Sequence, residues 1–192
     1  MPPIRSTDRA ILDIGCGAGQ TLIAAELGSD RTLVGVDIDE EALALGRSLT
    51  STIQFLRAPA EAIPLASGSF DLVISRVALP YTDIRRAVHE MARLLTPGGR
   101  CWVALHPVAF GVRDLWDDLR HVRMKGIPYR LYVLANGLLL HVAGRVIRYP
   151  LKRSRLESVQ TSRGITRVFR AAGFTDIATV HEPAFLLTAR RE

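Results

Sequence analysis

The stretch Ile11-Leu12-Asp13-Ile14-Gly15-Cys16-Gly17-Ala18-Gly19 joins an apolar run carrying one acid to three glycines at alternate positions. Ala10 to Leu12 and Ile14 have the continuous apolar character of a parallel strand buried on both faces. The glycines admit positive φ and let a ligand approach the backbone closely. Thr21 to Leu27 then holds good helix formers and stops at Gly28, which predicts a helix whose N-terminus faces whatever sits on the glycines. The spacing is not the dinucleotide fingerprint G-x-G-x-x-G, whose third glycine would fall on Gln20. Strand, ligand-contacting turn and helix follow in that order.

The same alternation continues outward. Thr32 to Val36 reads as a second buried strand ending on Asp37, and Asp39 is placed to cap a helix from Glu40 to Leu49. A carboxylate about twenty residues beyond the glycines, at a strand's C-terminal end, can accept both hydroxyls of a ribose. Ile53 to Arg57 and Phe70 to Ser75 are the third and fourth strands. Ile84, Val88, Met91, Leu94 and Leu95 recur at helical steps up to the turn Thr96-Pro97-Gly98-Gly99. Cys101 to Leu105 is the fifth strand and delivers His106 to the C-terminal rim, where open α/β sheets bind ligands and where Arg76 to Tyr81 also lies. Thr161 caps a helix ending at Ala172-Gly173-Phe174, after which Ile177 to Val180 and Phe185 to Ala189 form a closing antiparallel hairpin.

These elements predict a three-layer α/β sandwich with a mostly parallel sheet. With 192 residues the chain is the size of one domain, 1–192. No apolar run has transmembrane length, and Met1-Pro2-Pro3-Ile4-Arg5 lacks the core of a signal peptide, so the cytoplasm is the expected compartment. The cysteines, Cys16 and Cys101, suit packed residues rather than a disulfide framework, and the five histidines lack ligand spacing, so no metal is expected. The net charge of +6 is unevenly spread: Arg100 to Arg170 holds 14 Lys/Arg against 4 Asp/Glu, and the remainder 11 against 15.

Much of that excess lies in 107–160. Arg113 to Met124 carries Leu115, Trp116, Leu119 and Val122 at helical spacing beside Arg113, Arg120, Arg123 and Lys125, predicting an amphipathic basic helix. Tyr129 to Val142 is apolar almost all round; a helix on Leu131, Leu134, Leu138 and Val142 is favoured over a hairpin through Asn136-Gly137, because alternation on either side is poor. A lid over an apolar substrate, contact of 129–142 with a membrane surface, and plain core are the readings it supports. Arg145 to Arg155 reads as a basic, poorly ordered linker.

Asp13-x-Gly15-x-Gly17-x-Gly19, with Phe70-Asp71-Leu72-Val73 and Arg93-Leu94-Leu95-Thr96-Pro97-Gly98-Gly99, resembles the class I S-adenosylmethionine-dependent methyltransferases, in their small-molecule "type 11"-like branch. The likeness is close from Ala10 to about Val108 and loose from Thr161 to Arg190. It implies a seven-stranded sheet of order 3-2-1-4-5-7-6 with one antiparallel strand, and the cofactor S-adenosylmethionine, released as S-adenosylhomocysteine. It implies that Asp13 helps hold the cofactor's amino group, that Gly15, Gly17 and Gly19 pass along its methionine and ribose, that Asp37 takes the ribose hydroxyls and that Ile38 lies against adenine. The family's acid in the next loop is replaced by Pro59, leaving the Ala60 N–H and the Glu61 carboxylate for the adenine; Ser75 ends the fourth strand beside the same cofactor. Relatives carry helices ahead of the first strand, where this chain has nine mostly polar residues.

The expected acceptor is small and partly apolar or acidic, and 107–160 is the segment where such enzymes place substrate-specific elements. His106 and Tyr81 are candidates for the base, since their strand ends converge on the cofactor. The alternatives are an RNA or other nucleic-acid methyltransferase using the basic insert, which lacks an aromatic stacking pattern, and a non-catalytic cofactor-binding protein.

Overall fold

The structure is a computed structural model and describes residues 1–152 and 155–192. Among the described residues, β1 (Ala10–Ile14), β2 (Thr32–Asp37), β3 (Ile53–Arg57), β4 (Phe70–Arg76), β5 (Leu95–Leu105), β6 (Phe174–Val180) and β7 (Phe185–Arg191) form one sheet of order β3-β2-β1-β4-β5-β7-β6. The first five run parallel, and β7 is antiparallel to both neighbours. The helices are α1 (Gln20–Ile23), α2 (Glu40–Leu49), α3 (Ile84–Leu94), α4 (Val108–Arg120), α5 (Ile127–Ala143) and α6 (Ser162–Ala171).

The pleat sorts the apolar strands onto two faces. Leu12, Ile14, Val34, Val73 and Val103 join a core with Val88 and Met91 of α3 and Phe169 of α6. Their alternates Ile11, Leu33, Leu72, Ile74 and Trp102 pack on the other face with Leu22 of α1. Helices thus cover both sides of the sheet, and the expected sandwich is the observed one.

Several boundaries differ from the sequence expectation, among them the start of β6, at Phe174 rather than Ile177. The helix after the glycine turn ends at Ile23 rather than Leu27, because Ala25 and Glu26 donate three residues back, to Leu22 and Ile23, and Glu26 turns left-handed at φ 47°. β5 starts at Leu95, so the Thr96-Pro97-Gly98-Gly99 turn is an irregularity inside the strand, where its register against β4 shifts. The helix expected over Arg113 to Met124 begins at Val108, directly after Pro107, and stops at Arg120 just before Val122 takes φ 52°.

Tyr129 to Val142 lies within one helix, α5, ended by left-handed Gly144. Asn136-Gly137 serves long-range packing instead of a hairpin. The Asn136 amide donates to the Ile147 and Glu157 carbonyls at 3.1 and 2.9 Å, and its oxygen accepts from the Ile147 N–H at 2.8 Å. A Cβ on Gly137 would stand 2.4 Å from a Val159 methyl. Within the expected linker these bonds hold Ile147, and Tyr149 rests against the rings of Tyr129 and Tyr132. Arg153 and Ser154 of that run lie outside the described residues.

The inward face of α5 is Tyr132, Val133, Asn136, Gly137 and Leu140, whereas Leu131, Leu138 and Val142 of the expected apolar stripe point to solvent. Among the described residues no helix is long and apolar enough to cross a membrane.

Asn136→Ala should lower the folding free energy by about 1–3 kcal/mol, since the buried Glu157 carbonyl and the Ile147 N–H lose their bonds to the amide. Urea unfolding checks it: the midpoint should fall with the slope unchanged.

Candidate functional site

The turn after β1 is held on the tip of β2. The Gly15 and Cys16 N–H groups both donate to the Val36 carbonyl, at 2.7 and 3.1 Å. Gly15 is left-handed at φ 73°, and a Cβ there would lie 2.1 Å from that of Ala78, so only glycine lets the loop after β4 close on the turn. Gly17, at φ 54°, donates its N–H to one Asp37 carboxylate oxygen at 2.8 Å, while Asp39 donates its own N–H to the other at 3.0 Å. The Asp39 side chain is spent on capping α2 through the Glu41 and Ala42 N–H groups. Asp37 is therefore the acid left facing the turn.

Beside this corner lies a cleft of about 450 Å³ that brings together Gly15, Asp37, Ile38, Ala60, Glu61 and Tyr81, with Pro59, Arg76 and Arg148 also on its walls. Ile38 is exposed on the rim, its carbonyl accepting from Arg57 at 3.2 Å. Glu61 accepts from the Asp83 N–H at 2.8 Å. Gly17 adjoins through its bond to Asp37. Gly19 does not line the cleft; it packs against Phe55, whose ring a Cβ there would meet at 2.8 Å. A larger groove of about 610 Å³ opens at the other end of β5; of the acids on it, Asp8 is paired with Arg100 at 2.7 Å and Asp71 with the Arg9 and Ala10 N–H groups.

Asp13 is fully buried, and neither carboxylate oxygen has a hydrogen-bond partner among the described residues. Burial pushes its pKa up to about 7, opposed in part by the positive charge of Arg76 and by the nearby Thr21 hydroxyl. The Ser75 hydroxyl and the His106 Nδ1 are likewise buried without a partner. Orphaned buried polar atoms are few in folded proteins and mark places where a ligand or water completes the bonding. Cys16, between Asp13 and Asp37, is pushed to about 12 by burial and by both acids, so its thiol is inert packing, as is that of Cys101.

On the far side of Tyr81 the two base candidates meet residues that pattern reading missed, Phe110, Glu157 and Gln160. Tyr81 meets His106 edge-on at 5.6 Å, and Phe110 stacks on His106 at 4.5 Å. The buried segment 156–160 crosses over them, because the Ser158 N–H donates to the Pro80 carbonyl and Gln160 exchanges bonds with the His106 backbone. It carries buried Glu157, which accepts from the Tyr129 hydroxyl at 2.6 Å. Burial lowers the His106 pKa, opposed by Glu157 and Asp114, so the imidazole is neutral at pH 7. No group of side chains suited to a metal ion occurs among the described residues.

The family model described as "Methyltransferase domain" matches residues 12–103. An uncharacterized methyltransferase of Bacillus subtilis, YcgJ, is 32% identical over 105 residues, 52% of this chain and 41% of that protein. The demethylmenaquinone methyltransferase of Lactococcus lactis is 26% identical over 182 residues, 89% of this chain and 68% of that protein. The crystal structure of an S-adenosylmethionine-dependent methyltransferase from Mesorhizobium loti shares the fold with a TM-score of 0.63 at 22% identity, covering 95% of this chain and 90% of that one. The chain thus spans about two fifths of the first of these relatives. Residues 12–103 thus match the methyltransferase-domain family, and the chain has the fold of S-adenosylmethionine-dependent methyltransferases.

Asp37→Ala should weaken S-adenosylhomocysteine binding by about 1–3 kcal/mol, because a charged acceptor and the anchor of Gly17 go together. Calorimetry on the folded variant decides; unchanged affinity removes Asp37 from the site.

Proposed function

We propose that this chain transfers a methyl group from S-adenosylmethionine to a small, partly apolar or acidic acceptor, as one domain, 1–192, in which 107–160 roofs the acceptor. The observation that carries the reading is the buried, unpartnered carboxylate of Asp13 beneath a left-handed glycine turn. An ammonium group is the partner that would complete it, and the amino group of the cofactor's methionine portion is one. The cofactor supplies a methyl on a sulfonium, a leaving group that needs no activation by the protein.

The residues then divide the work. Gly15 and Gly17 give the cofactor's chain a surface without side chains, Asp37 accepts the ribose hydroxyls, and Ile38 with the Ala60 N–H and Glu61 receives adenine, Pro59 offering no acceptor there. Ser75, near the end of β4 and without a partner among the described residues, would offer its hydroxyl to the bound cofactor. Tyr81 borders both the cleft and His106. Neutral His106 takes the proton of the acceptor, with Tyr81 and Phe110 as its walls; alignment of nucleophile and methyl supplies the remainder of the rate. Arg76 and Arg148 on the cleft wall suit an acidic acceptor, and Ile38 and the aromatic rings an apolar one. The Lactococcus relative, named for demethylmenaquinone, supports a small molecule. The nucleic-acid alternative is weakened because Arg130 is held by Asp114 and Asp118, and Arg123 by Asp117 and Asp118.

Binding of an ammonium beside Asp13 favours its carboxylate, so ligand uptake releases a proton. Affinity for S-adenosylhomocysteine should fall as pH drops below about 7, by up to tenfold per unit, and level off above it. Asp13→Asn should flatten that profile; calorimetry at pH 5.5 to 8 measures both. No binding at any pH ends the reading.

His106→Ala should leave that affinity intact and cut turnover of an acceptor found by screening phenols, quinols and carboxylates by about 10²-fold or more. Unchanged kcat would give the proton to another group.

A further inference from the structure

The two helices after β5 turn apolar side chains to solvent. On α4 the outward residues Val108, Val112, Trp116 and Leu119 fall on one face at steps of three and four, with Trp116 61% exposed. On α5 the outward face is Leu131, Ala135, Leu138 and Val142, with Leu138 and Val142 each 64% exposed and no Asp, Glu, Lys or Arg between Leu131 and Val142. The connection between the helices adds Val122 and Met124, 74% and 64% exposed, alternating with Arg123 and Lys125. An ordinary surface helix keeps its polar residues on this side, and an apolar surface of this extent marks a contact site.

Charge identifies the occupant. The acids of the two helices are already engaged: Asp114 and Asp118 face Arg130 at 3.0 and 3.1 Å, and Asp117 pairs with Arg123. Arg113 and Arg120 flank the Trp116 stripe, and Lys125 stands exposed at the connection. A second copy would bring the same cations against each other, and a nucleic acid would leave the leucines in water. An anionic lipid surface satisfies both parts, taking the apolar face and tryptophan at the acyl boundary and the cations at the headgroups.

We propose that the outer face of α4 and α5, centred on Trp116 and Leu138, docks on anionic membranes. The inference stands apart from the proposed methyl transfer, since it uses no residue of the cleft. Docking would set the helices beside the His106 rim, from which α4 departs, against the bilayer.

Tryptophan fluorescence and vesicle flotation test it on the full chain. Trp102 and Trp116 are the two tryptophans, and Trp102 is buried, so a change on adding lipid reports Trp116. Vesicles of phosphatidylcholine with about one third phosphatidylglycerol should float the protein and shift its emission to the blue; phosphatidylcholine alone should not, and about 0.5 M salt should weaken partitioning several-fold. Leu138→Glu should reduce partitioning about tenfold or more with the circular dichroism spectrum and S-adenosylhomocysteine affinity unchanged, and Arg120→Glu with Lys125→Glu should do the same while leaving the apolar stripe intact. Failure to float with anionic vesicles overturns the proposal, as does flotation that both variants retain. A concentration-dependent dimer that Leu138→Glu dissolves, without lipid binding, would make the face a contact between copies instead.

Discussion

The contact on which the site depends is the seating of the glycine turn on the tip of β2. Two N–H groups of the turn, Gly15 and Cys16, share the Val36 carbonyl, and a third, Gly17, reaches the Asp37 carboxylate. Each bond needs close approach, and small residues permit it. Gly35 of β2 is one of them, since a Cβ there would lie 2.8 Å from the Cys16 sulfur. Within the turn the Gly19 N–H donates to the Cys16 carbonyl at 2.9 Å, and none of these bonds reaches the Asp13 carboxylate. Asp13 behind it stays buried and unpartnered, a state that costs folding free energy unless a ligand completes it. The corner that fixes the fold's order at β1 and β2 is thus also the corner that is chemically incomplete.

This explains why the first half of the chain was legible in its sequence. Parallel strands buried on both faces read as unbroken apolar runs, and a cap such as Asp39 acts on N–H groups two and three residues away, so both signals are local. The extents of β2, β3 and α2 were readable to within a residue for that reason. The close of α1 was not, because it depends on a left-handed Glu26 that no side-chain pattern announces.

Beyond β5 the sequence signals become ambiguous for a physical reason. Periodicity shows that α4 and α5 each have an apolar stripe; it does not show which way the stripe faces. Leu131 and Leu138 face out, and the inward face of α5 carries polar Asn136, whose three bonds reach segments 11 and 21 residues further along. Glu157 and Gln160 were invisible for the same cause: a lone acid and a lone amide in a loop acquire meaning only when segment 156–160 is laid across Pro80 and His106.

The unpartnered groups are arranged along the sheet in a way that bears on mechanism. Asp13, Ser75 and His106 belong to the C-terminal ends of β1, β4 and β5, three strands adjacent in the sheet, with Asp13 paired to Ile74 and Ser75 to Val103 in register. A parallel sheet aligns those ends at one edge, so three incomplete polar groups on three strands become a row. The carboxyl at one end suits a cation, and the neutral imidazole at the other suits a proton donor. Val77, the residue after β4, sits between them at φ 64°, a backbone state that costs a β-branched residue on the order of 1–3 kcal/mol. Its N–H donates to the Ala104 carbonyl while Ala78 closes on Gly15, so the strained turn is what ties the rim of β5 to the glycine turn of β1. The strain and the row of orphaned groups share one location.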